Sequence, residues 1–263
     1  MDLSYSMLKL QPQILLLLLI LICSVPGGFA TVLFKKYIKI KVLRSHNEVI
    51  GYIFAAVGGF YALLLGFVVF LVWSSFSDAQ TNANREGSMA KVLYRDIKYF
   101  PDTVHKTALM KSFLDYVTYV VDTEYKKMEA AEPFTKKDRE KFNTIYKNIE
   151  LMNASDSRTQ LMFQNLNELS IYRSLRQLDA SASSDIPVEI WIPLILGGLI
   201  VLTFAALLDI ENGKLHALIN SLLGAFVGLV IYIIITLDHP FTGKLKVEPE
   251  EYISIGNMVS QDK

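Results

Sequence analysis

Four histidines stand in this sequence, His46, His105, His216 and His239, each in a different stretch and none in an H-x-x-x-H or H-E-x-x-H spacing. Imidazoles hold a metal when helical or turn spacing brings two of them to one point. These four share no such spacing, so no metal site is expected. The single cysteine, Cys23, lies in an apolar run. It can form no intramolecular disulfide, offers no thiolate pair, and reads as a small buried hydrophobe. No G-x-S-x-G, P-loop or G-x-G-x-x-G stands in context. Asp209 and Glu211 could bind a cation between two apolar runs, but Asn212-Gly213 beside them marks a solvated turn. Thr81 to Asn84 and Ser181 to Ser184 are polar faces or loops with no base to activate them. Catalysis has no constellation to stand on, so neither enzyme activity nor a cofactor is expected.

The surroundings of these residues are mostly apolar. Hydrophobic residues make up 52% of the chain and charged residues 20%, and the charges are concentrated between residues 75 and 187. Segregation of this kind belongs to membrane segments alternating with solvated ones. The charges also cancel, 26 basic against 26 acidic. Phosphate recognition needs a concentrated excess of Lys and Arg, so nucleic acid is excluded as a partner.

Four uncharged runs are long enough to cross the bilayer: Ile14 to Phe34, Ile50 to Trp73, Ile190 to Leu208 and Leu215 to Leu237. About 30 Å of hydrocarbon takes about 20 helical residues, and helix is the state that satisfies every backbone amide in lipid. The first run has a rival reading. Ile14 to Ile22 could be a signal-peptide core with Gly28-Phe29-Ala30 as its cleavage site. Against it, Lys9 is the only basic residue ahead of the run and the apolar stretch continues to Leu33. Pro26-Gly27-Gly28 is then a kink in a true span. No charged group lies within the spans, which disfavours proton-coupled transport. Only His216 and Asn220 approach the interior of the fourth, and their place near its end predicts an interfacial position.

Small residues recur at helical spacing. Gly51, Gly58, Gly59 and Gly66 lie along the second span, and Gly224 and Gly228 form a G-x-x-x-G in the fourth. They predict close helix approach, either within one chain or at a subunit interface or pore.

Between the hairpins the pattern remains helical. There is no proline from Ile50 to Tyr99, and the stripe Phe76, Ala79, Ala83, Met89, Val92, Leu93 and Ile97 continues the second span as one helix up to Pro101. Helices follow from about Thr103 to Ala131, from Thr135, and from about Asp156, where Ser157 and Gln160 have capping-box spacing. The expected fold is all-α: an integral membrane protein with four transmembrane helices in two hairpins and an inserted soluble helical bundle. Its parts are residues 1–74 (first hairpin with a basic loop), 75–187 (soluble helical domain), 188–237 (second hairpin) and 238–263 (C-terminal tail).

Lys35, Lys36, Lys39, Lys41 and Arg44 make the first loop basic and place it in the cytoplasm. Residues 75–187 would then be extracytoplasmic. Arg85, Arg173, Arg176, Lys244 and Lys246 flank spans on the opposite side and nearly balance the count.

One pattern is more specific. Directly after the fourth span come Asp238, Pro240, Phe241 and Gly243, followed by Val247, Pro249 and Tyr252, with Glu86, Leu93-Tyr94 and Pro101 after the second span and Pro187 and Trp191 at the third. Together these resemble the bacterial bestrophin-like membrane proteins, a domain family of unknown function. The Asp-x-Pro-Phe-x-Gly element reads as a turn, with Phe241 anchoring at the membrane interface. The family's name borrows from bestrophins, which are pentameric anion channels with four spans per subunit. The resemblance therefore implies a homo-oligomeric pore in a bacterial inner membrane, lined by the second span around Gly58, Phe60, Gly66, Phe67 and Phe70. In bestrophins the middle domain is cytosolic, opposite to what the basic loop predicts here. A second function stays open, a non-conducting scaffold or sensor whose residues 75–187 bind a protein partner.

Overall fold

The computed structural model describes residues 3–37, 44–181 and 186–261. The basic-loop residues Lys39 and Lys41 and linker residues 182–184 lie outside them. The described residues form helices and turns: α1 (Leu3–Leu8), α2 (Pro12–Tyr37), α3 (Arg44–Lys98), α4 (Thr103–Tyr119), a π-helical turn (Val120–Glu124), α5 (Tyr125–Glu129), α6 (Lys136–Glu150), α7 (Ser157–Ser181), α8 (Val188–Leu207), α9 (Gly213–Leu237) and α10 (Glu250–Gln261). Four helices are long and apolar enough to cross a membrane: Pro12–Leu33, His46–Lys98, Glu189–Leu207 and Gly213–Leu237. The chain divides into two compact units, Met1–Ser75 with Ser184–Asp238, and Phe76–Ser183 with His239–Lys263.

The first unit holds the apolar helices, and its close packing follows its glycines. Helices α2 and α9 run antiparallel with their backbones nearly touching. A Cβ on Gly224 would run into the Cys23 carbonyl, and one on Gly228 would lie 2.6 Å from the Leu19 oxygen. Gly27 reciprocates against the Asn220 carbonyl at 2.7 Å, and Gly28 against Ser221. Lipid supplies no hydrophobic force between helices, so contact at this range is what dispersion and shape must deliver. The G-x-x-x-G of α9 is thus engaged within the chain. Helix α2 continues through Pro26, and the Thr31 hydroxyl, one turn beyond, donates to the Gly27 carbonyl at 3.2 Å. On α3 the buried stripe is Tyr61, Leu65, Val68 and Val72. The Tyr61 ring lies over Gly197 and Gly198 of α8, and its hydroxyl donates to the Leu194 carbonyl at 3.0 Å. At the start of α3 the Asn47 side chain donates to the Asp209 carbonyl and accepts from the Asp209 N–H, both at 2.8 Å.

The second unit is a helical bundle with a core of Leu93, Ile97, Leu109, Phe113, Tyr116, Ile145, Ile149, Leu166 and Leu169, all buried. Asp102 caps α4 by accepting from the Val104 N–H at 3.0 Å. Thr135 opens α6, and Asp138 three residues on accepts from both its N–H and its hydroxyl. The Thr-x-x-Asp pair at residue 135 therefore holds the capping arrangement that sequence placed at Ser157 and Gln160. At the start of α7 it is Asp156 that accepts from the Arg158 N–H at 3.0 Å, while the Gln160 amide turns to the Ala154 carbonyl. The C-terminal segment belongs to this unit too. Gly87 on α3 lets α10 approach until Glu251 occupies the place of a side chain.

Candidate functional site

The most concentrated polar group lies inside the second unit. Four ionised side chains, Glu86, Glu124, Arg173 and Arg176, are buried together, and Arg176, Glu86 and Glu124 are fully so. Three elements bring them in. Glu86 is on α3, Glu124 ends the π-helical turn, and the two arginines are on α7. The extra residue of a π turn rotates the following helix by about 100°, since each helical residue turns that far. Here the turn aims Glu124 inward while Tyr125 and Met128 stay buried. On α7, Arg173 and Arg176 continue the buried stripe of Thr159, Met162, Leu166 and Leu169.

Arg176 is the hub. Its guanidinium pairs with Glu86 through Nε and at 3.0 Å through Nη2, and donates to Glu124 Oε2 at 2.6 Å. It also lies over the Tyr125 ring, 5.2 Å from the centroid. Arg173 donates to Glu124 Oε1 at 2.7 Å and to the Asp138 carbonyl at 3.1 Å, and stacks over Phe142. Glu86 Oε1 accepts from Tyr252 of α10 at 2.7 Å and from Tyr116 at 3.4 Å. Charge sums to zero over the four ions, which is the condition under which ions persist without water. Burial works against the charged form of Arg176, and the carboxylates of Glu86 and Glu124 overturn it, holding the arginine well above its ordinary value. Burial and then Glu86 push the Tyr252 phenol far up. The cluster is a clamp joining α3, the π turn, α7 and α10.

Beside it, Asp138 accepts from Lys127 at 2.8 Å and Tyr119 at 2.6 Å. Burial alone would raise its carboxyl, but the hydrogen bonds from Lys127, Tyr119 and Thr135 hold it far below the usual carboxylate range. Burial and the Asp138 bond together push Tyr119 up to about 12.

The Asp-Pro-Phe-Gly element divides at Asp238. That residue closes α9, its N–H donating to the Ile234 carbonyl at 3.0 Å, and its carboxylate accepts from the Ile186 N–H just ahead of α8 at 3.2 Å. The following residues turn tightly, with the Val247 N–H donating to the Pro240 carbonyl at 2.8 Å and Gly243 at φ 87°, a left-handed value that favours glycine. Phe241 is not an interfacial anchor. It is buried in the second unit, edge-on to Tyr125 with ring centroids 6.1 Å apart.

The structure adds to two further expectations. His216 and Asn220, read from their place near the end of the span as interfacial, have their side chains buried among α2, α8 and α9. Arg173 and Arg176, counted by sequence as charges flanking a span, sit in a core. The other candidate residues lie on one exposed flank of α3. Phe60, Phe67 and Phe70 are 76%, 60% and 64% exposed, and a Cβ on Gly58 or Gly66 would meet no atom within 4 Å. Among the described residues no group of three or more His, Cys, Asp or Glu side chains is arranged to hold a metal.

Apolar spanning helices joined to a helical unit clamped by buried ions define a polytopic all-helical membrane protein. Comparison with known proteins specifies it further. The Bestrophin-like domain model matches residues 21–252, and the chain belongs to that family. Its fold is similar to a tryptophan-to-alanine variant of a bacterial bestrophin homologue from Klebsiella pneumoniae, with TM-score 0.65, 15% identity and 94% of each chain covered. A leucine-to-threonine variant of that homologue gives TM-score 0.65 at 13% identity, covering 94% of this chain and 96% of the other. A proline-to-alanine variant described as a membrane protein gives TM-score 0.65 at 12% identity with the same coverage. Among curated proteins no sequence matches the chain.

Proposed function

We propose that this protein is a homo-oligomeric ion-conducting pore, with α3 of each copy turned toward the common axis. The observation that carries the reading is the composition of the uncovered α3 flank. Gly51, Gly58, Gly59 and Gly66 are all on this helix, and none has an atom of its own chain near the place a side chain would occupy. Each costs helix stability by about 1 kcal/mol relative to alanine. Lipid gives nothing in return, whereas a neighbouring helix or a narrow lumen uses the room. Interleaved with them, Phe60, Leu63, Phe67 and Phe70 would form the constriction. Elsewhere the uncovered apolar positions are dominated by aliphatic residues, as with Leu17, Leu21, Ile22 and Val25 of α2, the composition lipid contact asks for.

On this reading the four spans form two hairpins around the inserted helical bundle, in the inner membrane of a bacterium, with the basic loop cytoplasmic. Family kinship makes an anion the first permeant species to test. Purified protein in liposomes is expected to pass chloride or potassium selectively, and Phe67→Ala to change that flux. Absence of flux from folded, oligomeric protein would sink the pore.

A non-conducting scaffold or sensor is the second reading, favoured by the outer face of α7. Leu161, Ile171 and Leu178 are exposed there at intervals of ten and seven residues, suited to a protein partner. Co-purification of a partner that Ile171→Asp abolishes, with no flux, would select it over the pore.

A further inference from the structure

The first unit holds two buried acceptors for which no donor is found among the described residues. His216 Nε2 lies 2.8 Å from the Ala205 carbonyl. A carbonyl only accepts, so that nitrogen carries the proton, and in the neutral imidazole Nδ1 is left as a lone pair. Asn220 donates through Nδ2 to the Thr31 hydroxyl at 3.1 Å and to the Leu202 carbonyl at 3.4 Å, which leaves its Oδ1 as a lone pair as well. The Thr31 proton is committed to the Gly27 carbonyl. His216 and Asn220 are 1% and 0% exposed, and neither Nδ1 nor Oδ1 finds a partner among the described residues.

The other tautomer does not resolve this, because it would set the Nε2 lone pair against the Ala205 carbonyl at the same 2.8 Å. Rotating the Asn220 amide would turn its oxygen onto the Leu202 carbonyl. A group that donates twice satisfies both, and the two residues stand one turn apart on the same face of α9, about 5–6 Å between Cβ atoms. We propose that a single internal water molecule is a constituent of this membrane core, donating one hydrogen to His216 Nδ1 and the other to Asn220 Oδ1. Two unmet acceptors in an apolar bundle would each cost about 1–3 kcal/mol, and a buried water that makes such bonds is a normal structural component.

A polar cavity lies next to the site. Thr31, which receives the Asn220 bond, lines a cavity of about 720 Å³ with Lys36, Glu211, Lys214 and Ala217. The lysines and glutamate keep that cavity wet. The bridge fixes His216 and Asn220 of α9 relative to each other, and their direct bonds to Ala205 and Leu202 of α8 and to Thr31 of α2 carry that order to the neighbouring helices.

Solid-state NMR of full-length, 15N-histidine-labelled protein in nanodiscs tests the assignment, the His216 signals being those lost in His216→Gln. The expected result is a neutral ring protonated at Nε2, with Nδ1 shifted upfield by an accepted hydrogen bond and cross-relaxing with water protons. A doubly protonated ring, or an Nδ1 without contact to water, would overturn the proposal. Asn220→Leu removes one of the two acceptors, and in protein that remains folded by circular dichroism it is expected to weaken the water contact at Nδ1. An undiminished contact in that variant would overturn the bridge.

Discussion

Arg176 is the residue on which the second unit turns, since its side chain reaches both Glu86 and Glu124. Replacing it by alanine leaves Glu86 and Glu124 with the charge of Arg173 alone. Loss of one partner from a buried ion pair costs about 3–5 kcal/mol, so Arg176→Ala is expected to lower the thermal midpoint of detergent-solubilised protein sharply. Tyr252→Phe removes one hydrogen bond to Glu86 and is expected to cost about 1–3 kcal/mol in the same assay. Asp138 gives the clamp its acid limit. Its folded carboxyl lies far below the unfolded value of about 3.9, so its stabilising contribution is complete above that value and is lost progressively as pH falls from there toward the folded value. Thermal midpoints recorded from pH 6 down to pH 3 should fall further for the parent protein than for Asp138→Asn, which starts lower and lacks the titrating group. Little of this was legible in sequence. Arginines at residues 173 and 176 continue the spacing of Leu166 and Leu169, a signal that they occupy core positions, but their partners lie 90 and 52 residues away from Arg176 along the chain.

At the scale of elements the apolar runs and the proline-free stretch from residue 50 could be read directly, because lipid leaves helix as the one solution and periodicity reports it. Pairing could not. A G-x-x-x-G says that a helix approaches, without saying which, and only the structure assigns Gly224 and Gly228 to α2 and leaves Gly66 open. The contrast is testable. Gly224→Val drives two methyls into the α2 backbone and should cost at least about 1–3 kcal/mol, seen as loss of monodisperse protein by size-exclusion chromatography. A Cβ at residue 66 meets no atom within 4 Å, so for Gly66→Leu helical content should be unchanged by circular dichroism. If the α3 flank packs against another copy, light scattering will then show a smaller assembly. The π turn had no sequence signal. Its wider winding ends at Glu124, which meets both arginines.

For the whole molecule, sequence identified a membrane protein and its family, because the signature residues near Asp238 and the four spans are local features. Assembly and orientation depend on surfaces and on charge balance, which one chain leaves underdetermined. The basic first loop predicts that Lys36 faces the cytoplasm, and Lys214, which lines the same cavity, must share its side. In a Cys23→Ala background, cysteines introduced singly at positions 36 and 214 should resist a membrane-impermeant maleimide in intact cells and react after lysis. Labelling of both in intact cells would reverse the orientation.

The bond from Tyr252 to Glu86 spans 166 residues, and it sets an order of events during synthesis. Glu86 and Arg176 are made first, yet the element that completes their enclosure leaves the ribosome only after both later apolar helices, Val188–Leu207 and Gly213–Leu237, have been made. Until then a pair of charges waits beneath an unfinished lid. A message broken before codon 252 therefore yields a chain whose spans can insert but whose bundle stays open, and cellular proteases can tell that product from the finished one.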